Sequence, residues 1–129
     1  MIQAGYRYQR TTVDIEKFLE DTGNVFRVVN RKHYKGNPKK GIEAGYTFTL
    51  QIKEDRSDLA LGKVEGKEPI SNVFESFDAT VVGLESTDIQ KGDWVSLDNP
   101  LAEISYYINW NFILRFGGIH KVQLKKKGE

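Results

Sequence analysis

The stretch AGYTFTLQIK, residues 44–53, alternates without a break: Tyr46, Phe48, Leu50 and Ile52 share one parity, and Thr47, Thr49, Gln51 and Lys53 share the other. Successive side chains of an extended chain point to opposite faces. This pattern is therefore a half-buried strand with an apolar and a polar side. The β texture continues outward from it. Val25–Val29 is short and β-branched and runs on to about His33; Asn72–Gly83 reads as a long strand with weaker alternation, and Trp94–Leu97 as another. Glu103–Phe116 reads as one long strand, with Ile104, Tyr106, Ile108, Trp110, Phe112, Leu114 and Phe116 on a single parity. Gly117-Gly118 reads as a hairpin turn into a last strand over 119–124. KGNPKKG (35–41), the polar run 54–70, GLESTDIQKGD (83–93) and DNP (98–100) carry the turn residues. A helix fits only over 13–21, with Thr12 as its cap, Asp14 and Glu16 favouring its dipole, and Gly23 as its stop.

These elements predict an all-β chain with one short N-terminal helix and five or six mostly antiparallel strands. A small sheet must manage its edges, and closure into a barrel does so. Long strands of uneven length separated by long loops suit a Greek-key barrel of the oligonucleotide-binding (OB) type better than a sandwich of short, even strands. An SH3-like barrel and a small jelly roll stay open as alternatives. The expected organisation is an arm over 1–12, a barrel domain with its leading helix over 13–125, and a basic tail over 126–129.

The 129 residues are enough for one domain with a real core. The absence of cysteine excludes disulfides, thiolate metal sites and cysteine nucleophiles, and two histidines exclude a histidine-rich metal site. No cofactor is expected. No apolar run approaches the ~18 residues of a membrane span, and MIQAGYRYQR has no apolar signal core. The expectation is a cytoplasmic chain without a membrane partner. The net charge of +1 hides an asymmetry: residues 1–40 hold nine basic and four acidic side chains, 41–103 hold five and thirteen, and 104–129 hold five and one. Such a division suggests a polyanion-facing surface opposed by an acidic one.

The densest local signal is RKHYKGNPKK, residues 31–40, where Arg31, Lys32, Lys35, Lys39 and Lys40 surround Tyr34 with no acid among them. Cations that neutralise phosphates release counterions, and a tyrosine can stack on a base. The alternative is a hairpin tip kept charged for solubility. Thr47, Thr49 and Gln51 offer a polar face that could bear a nucleic-acid strand. The parity of Ser105, Tyr107, Asn109, Asn111 and Arg115 mixes one ring, two amides and a cation, as base stacking and hydrogen bonding need. Trp110 joins these candidates if a bulge swaps the faces locally. In the arm, Tyr6, Arg7, Tyr8 and Arg10 alternate, a composition enriched at protein interfaces, and suggest docking on a second copy. No nucleophile, zinc, calcium or phosphate-loop motif is present. An enzyme would have to gather some of Glu75, Asp78, Asp93 and His120 into one pocket, and a non-enzymatic chain is expected.

VFRVVNRKHYKG (25–36), GYTFTLQIKED (45–55), NVFESFDATVVG (72–83), KGDWVSL (91–97) and INWNFILRF (108–116) together resemble OB-fold single-stranded DNA-binding proteins, notably those of Gram-positive conjugative plasmids and phages. The resemblance covers most of 25–116. It implies an OB barrel that binds single-stranded DNA, or RNA, with little sequence preference and serves plasmid or phage DNA processing or transfer. It puts the contact on Arg31–Lys40 and on the exposed face of the second and third barrel strands. Bacterial members end in an acidic, hydrophobic tip that recruits partners, whereas this sequence ends LKKKGE, so recruitment by such a tail is not expected. A helix and an arm also precede the barrel, so an oligomer geometry unlike the usual tetramer is expected. The rival reading is a structural or assembly β-barrel of a phage or secretion machine, oligomerising through the N-terminal arm.

Overall fold

The computed structural model describes residues 11–108 and 111–123. In chain order it contains β1 (Thr11–Thr12), α1 (Ile15–Thr22), β2 (Phe26–Tyr34), β3 (Gly45–Ile52), β4 (Ser76–Val82), β5 (Trp94–Pro100), β6 (Tyr106–Ile108) and β7 (Asn111–Lys121). Single 3-10 turns fall at Pro38–Lys40 and Ala102–Ile104. The chain is mostly β with one short α-helix, as expected. No helix among the described residues is long and apolar enough to cross a membrane.

Five strands close on themselves in the order β2-β3-β4-β7-β5, with β5 returning to β2. Every contact in this ring is antiparallel except that of β4 with β7, which is parallel and covers only Ala79–Val81 against Leu114–Phe116. β6 folds back on β7, and β1 pairs with β6, so these two strands extend the sheet outward from the ring. The parity read from 44–53 is the one that fills the interior. Phe48, Leu50 and Ile52 are buried, together with Phe26 and Val28 from β2, Ala79 and Val81 from β4, Val95 and Leu97 from β5, and Leu114 and Phe116 from β7. Burying each large side chain contributes about 1.5–3 kcal/mol. The β3–β4 pair runs close at Gly45, where a Cβ would collide with the Val81 carbonyl.

The helix begins two residues later than expected. The Asp14 carboxylate accepts the Lys17 N–H at 3.1 Å and is the true cap, because Thr11 and Thr12 are engaged by Tyr107 and Tyr106 as a strand. Gly23 stops the helix at φ 71°. The helix packs on the ring through Ile15 and Phe18, whose ring stacks over Phe26 at 6.1 Å and meets Phe77 edge-on at 5.0 Å.

Three expectations fail on the C-terminal half. The single strand over 103–116 is a 3-10 turn followed by a hairpin, and Trp110 lies outside the described residues. Leu114 and Phe116 are in the core, but Phe112 is 50% exposed. DNP is the end of β5 rather than a turn. Gly117-Gly118 is not a turn but the interior of β7. Phe116 and Ile119 both pack on the core although they stand three positions apart, and the pairing with β5 runs through the two glycines without a register shift. A Cβ at Gly117 would collide with the Asn99 side chain, whereas one at Gly118 would make only an ordinary contact with Asp98.

The β3–β4 connection, 53–75, is largely exposed but tied at its base. Asp55 accepts the Asn72 N–H at 2.9 Å through one carboxylate oxygen and the Ser57 N–H at 3.0 Å through the other. Burial pushes the Asp55 carboxyl up, but the hydrogen bonds from Asn72 and Ser57 and the charge of Lys17 outweigh it and hold the carboxyl below its ordinary value.

Phe26→Ala is expected to cost about 3–5 kcal/mol and Asp14→Ala about 1 kcal/mol, both read from urea denaturation. The Asp55 tie should stabilise the fold fully above the ordinary carboxyl value of 3.8. That contribution is lost as pH falls through the lower folded value. Urea midpoints of the wild type should therefore drop more steeply below pH 4 than those of Asp55→Asn, about the pH at which model carboxyls titrate.

Candidate nucleic-acid interface

Residues directly opposed across an antiparallel pair share a face. The registers therefore lay out the outer surface of β2, β3 and β4 row by row. Tyr34 stands beside Gly45 and Val82; Lys32 beside Thr47 and Thr80, with Arg115 of β7 completing the row; Asn30 beside Thr49 and Asp78; and Arg27 beside Gln51 and Ser76. Thr47, Thr49 and Gln51 thus lie together on one face, as their alternation predicts.

The face is an organised polar layer. The Thr47 and Thr80 hydroxyls are 3.0 Å apart, the Thr49 hydroxyl donates to the Asp78 carboxylate at 2.7 Å, and the Gln51 amide donates to the Phe74 carbonyl at 3.2 Å. Thr47 is only 7% exposed. Arg115 is buried to a similar degree; its guanidinium donates to the Ile104 carbonyl at 2.6 Å, and its backbone N–H to the Ser105 hydroxyl at 2.9 Å. Beyond the short β4–β7 contact the two strands diverge. A groove opens in the gap, walled by Lys32 and Tyr34 on one side and by Phe112 and Arg115 on the other, with Thr47 and Asp78 also lining it.

The basic run divides at this point. β2 holds an irregularity between Val28 and Asn30, where Val29 has no partner opposite it on β3. Past that bulge, Lys32 and Tyr34 share the outer face with Thr47, whereas Arg31 shares the inner face with Phe48. The Arg31 guanidinium donates to the carbonyls of Ile89 at 2.7 Å and Thr87 at 3.2 Å and lies 6.0 Å from the Tyr46 ring centre. It braces the β4–β5 connection and is not directed with the lysines. Lys35, Lys39 and Lys40 are exposed on the β2–β3 tip. That tip is a built structure: Asn37 and Ile42 exchange backbone hydrogen bonds of 2.8 and 3.0 Å, and Ile42 is buried beneath it. None of Lys32, Lys35, Lys39 and Lys40 has a carboxylate within ion-pair distance among the described residues.

Tyr107 falls elsewhere than expected. Its ring lies 5.2 Å from that of Phe112, and it lines a separate apolar hollow against Val13 and Phe18 of the helical side. Phe112 borders both the hollow and the groove. Tyr6, Arg7, Tyr8, Arg10 and Trp110 lie outside the described residues. Among the groups an enzyme would need, Asp78 is on the outer face, Asp93 faces Lys121 at 3.6 Å, and His120 bonds Asp98 at 2.6 Å. Among the described residues no three acidic or histidine side chains converge to hold a metal ion.

Sequence reasoning missed Arg27, Asn30, Thr80 and Phe112. Arg27 was available, since it alternates with Phe26 and Val28. Asn30 was not, because its face depends on the bulge. With cations along one border, hydroxyls and amides across the middle and rings at the groove walls, the surface can hold a chain of alternating phosphates and flat bases.

Arg31→Ala is expected to cost about 1–2 kcal/mol through its lost hydrogen bonds to two carbonyls, while Lys32→Ala should stay within about 0.5 kcal/mol of wild type. Urea midpoints compare the two directly. Comparison of the chain with protein-family models, with curated proteins and with solved structures yields no match.

Proposed function

We propose that this chain is a non-enzymatic OB-type barrel that binds single-stranded DNA largely without regard to sequence. The observation that carries the reading is the outer face of β2, β3 and β4, where Lys32 and Tyr34, without a side-chain partner among the described residues, adjoin an ordered lysine tip and a groove walled by Phe112. The strand order supports the OB assignment. Three consecutive neighbours, β2, β3 and β4, are followed by a strand that crosses to the far side, and β7 returns to lie between β4 and β5. We read this order as a Greek-key closure. In such barrels the face of the second and third strands, with the loops after the first and fourth, binds oligonucleotides. Here those loops are the lysine tip and the connection elaborated into the β6–β7 hairpin.

In the mechanism, Lys32, Lys35, Lys39 and Lys40 neutralise phosphates and release counterions, while Tyr34 and Phe112 offer rings to the bases. Thr49, Gln51 and Asp78 hydrogen-bond base edges as they happen to present themselves, which gives weak sequence preference. A cytoplasmic role in plasmid or phage DNA processing rests on the resemblance of residues 25–116 alone. A second reading, an assembly barrel joined through its N-terminal arm, is favoured by one observation: among the described residues β1 pairs on its β6 side alone, which leaves an edge that another copy could meet.

Anisotropy titration with oligo-dT at several salt concentrations decides between them. The expected slope of log K against log salt is about −3 for four phosphate contacts at about −0.7 each. The double variant Lys39→Ala/Lys40→Ala should flatten it by about 1.4. Folded protein that fails to bind at low salt rejects the DNA reading and leaves the assembly reading standing.

A further inference from the structure

Phe74 combines two properties that the fold does not explain. Its backbone is left-handed, at φ 72°, and its side chain is 77% exposed. A bulky residue with positive φ is strained, and asparagine or glycine would take the position at less cost. The strain is held in place from three directions. The Phe74 N–H donates to the Ile52 carbonyl at 2.8 Å, Glu75 closes the turn onto the Asn72 carbonyl at 3.0 Å, and the Ile52 N–H donates to the Glu75 carbonyl at 2.8 Å. With its side chain so exposed, the ring adds little to the core that could offset the strain. Strained positions with no structural return cluster at functional sites.

The place of Phe74 suggests the use. Its carbonyl accepts the Gln51 amide, so it stands at the end of the row formed by Arg27, Gln51 and Ser76. Tyr34 stands at the opposite end of the same face, beside Gly45. Gln51 lies six positions beyond Gly45 along β3, a span of roughly 20 Å at about 3.3 Å per residue. We infer that Phe74 is a further base-stacking platform beside Tyr34 and Phe112, and that a bound single strand runs along β3 from Tyr34 to Phe74, its phosphates reaching Lys32 near one end and Arg27 near the other. The inference rests on the single-stranded DNA reading.

The test uses the whole chain with oligo-dT at low salt and compares wild type, Phe74→Asn and Phe74→Tyr. Asparagine tolerates the left-handed backbone, so Phe74→Asn should raise Tm by about 4 °C. Its affinity should nevertheless fall about five- to a hundred-fold, the usual loss of one stacked base. Phe74→Tyr keeps a ring and should bind within about two-fold of wild type. Wild-type binding with an unchanged Phe74→Asn affinity overturns the inference and leaves the DNA reading intact. A Phe74→Asn variant that loses affinity together with Tm makes Phe74 a structural residue and also overturns it. Wild-type protein that does not bind oligo-dT overturns the DNA reading itself, and this inference with it.

Discussion

One extra residue in β2 sets the chemistry of the molecule's surface. Up to Val28 the strand turns its apolar side chains inward, opposite Ile52 and Leu50. Val29 then interrupts the register, and everything beyond it is rotated by one position. In an unbroken pleat, Lys32 and Tyr34 would face the interior and Arg31 would face out. With the bulge, the lysine and the tyrosine meet the threonine rows of β3, and the guanidinium is turned toward the carbonyls of Thr87 and Ile89. The same step divides a continuous basic run into a cation that braces the fold and cations left open to solvent.

The second constraint is closure. The ring is complete, yet its contacts are unequal. β2 and β3 pair along most of their length, whereas β4 and β7 share three residues and β5 and β2 share two. The interior makes up for the thin contacts: Phe26, Phe48 and Phe116 reach the core from three different strands and are fully buried there. α1 adds Ile15 and Phe18 and joins Phe26 and Phe77 in one aromatic group.

Much of this was legible in the sequence. Strict alternation over 44–53 located both the core side and the polar side of β3, because a half-buried strand offers no other arrangement. The β2–β3 tip was marked by its glycine, asparagine and proline. The C-terminal half was misread for physical reasons. Apolar alternation continues through the β6–β7 hairpin, so parity gives no sign that the chain has reversed. Two adjacent glycines have the chemistry of a turn, but here they lie inside β7, and Gly117 makes room for Asn99. The basic run was legible as a composition and not as a surface, since its division depends on a bulge that no residue type announces. Phe74 left no signal at all, because phenylalanine is the wrong residue for the backbone it occupies.

The short parallel contact between β4 and β7 is a narrow seam in the closed sheet. Lys32 and Tyr34 stand on one bank of the groove beside it, and Phe112 and Arg115 on the other. Ala79 and Val81 on one strand of the seam, and Leu114 and Phe116 on the other, are themselves core residues. The two banks are therefore pinned to each other from beneath rather than along their rims.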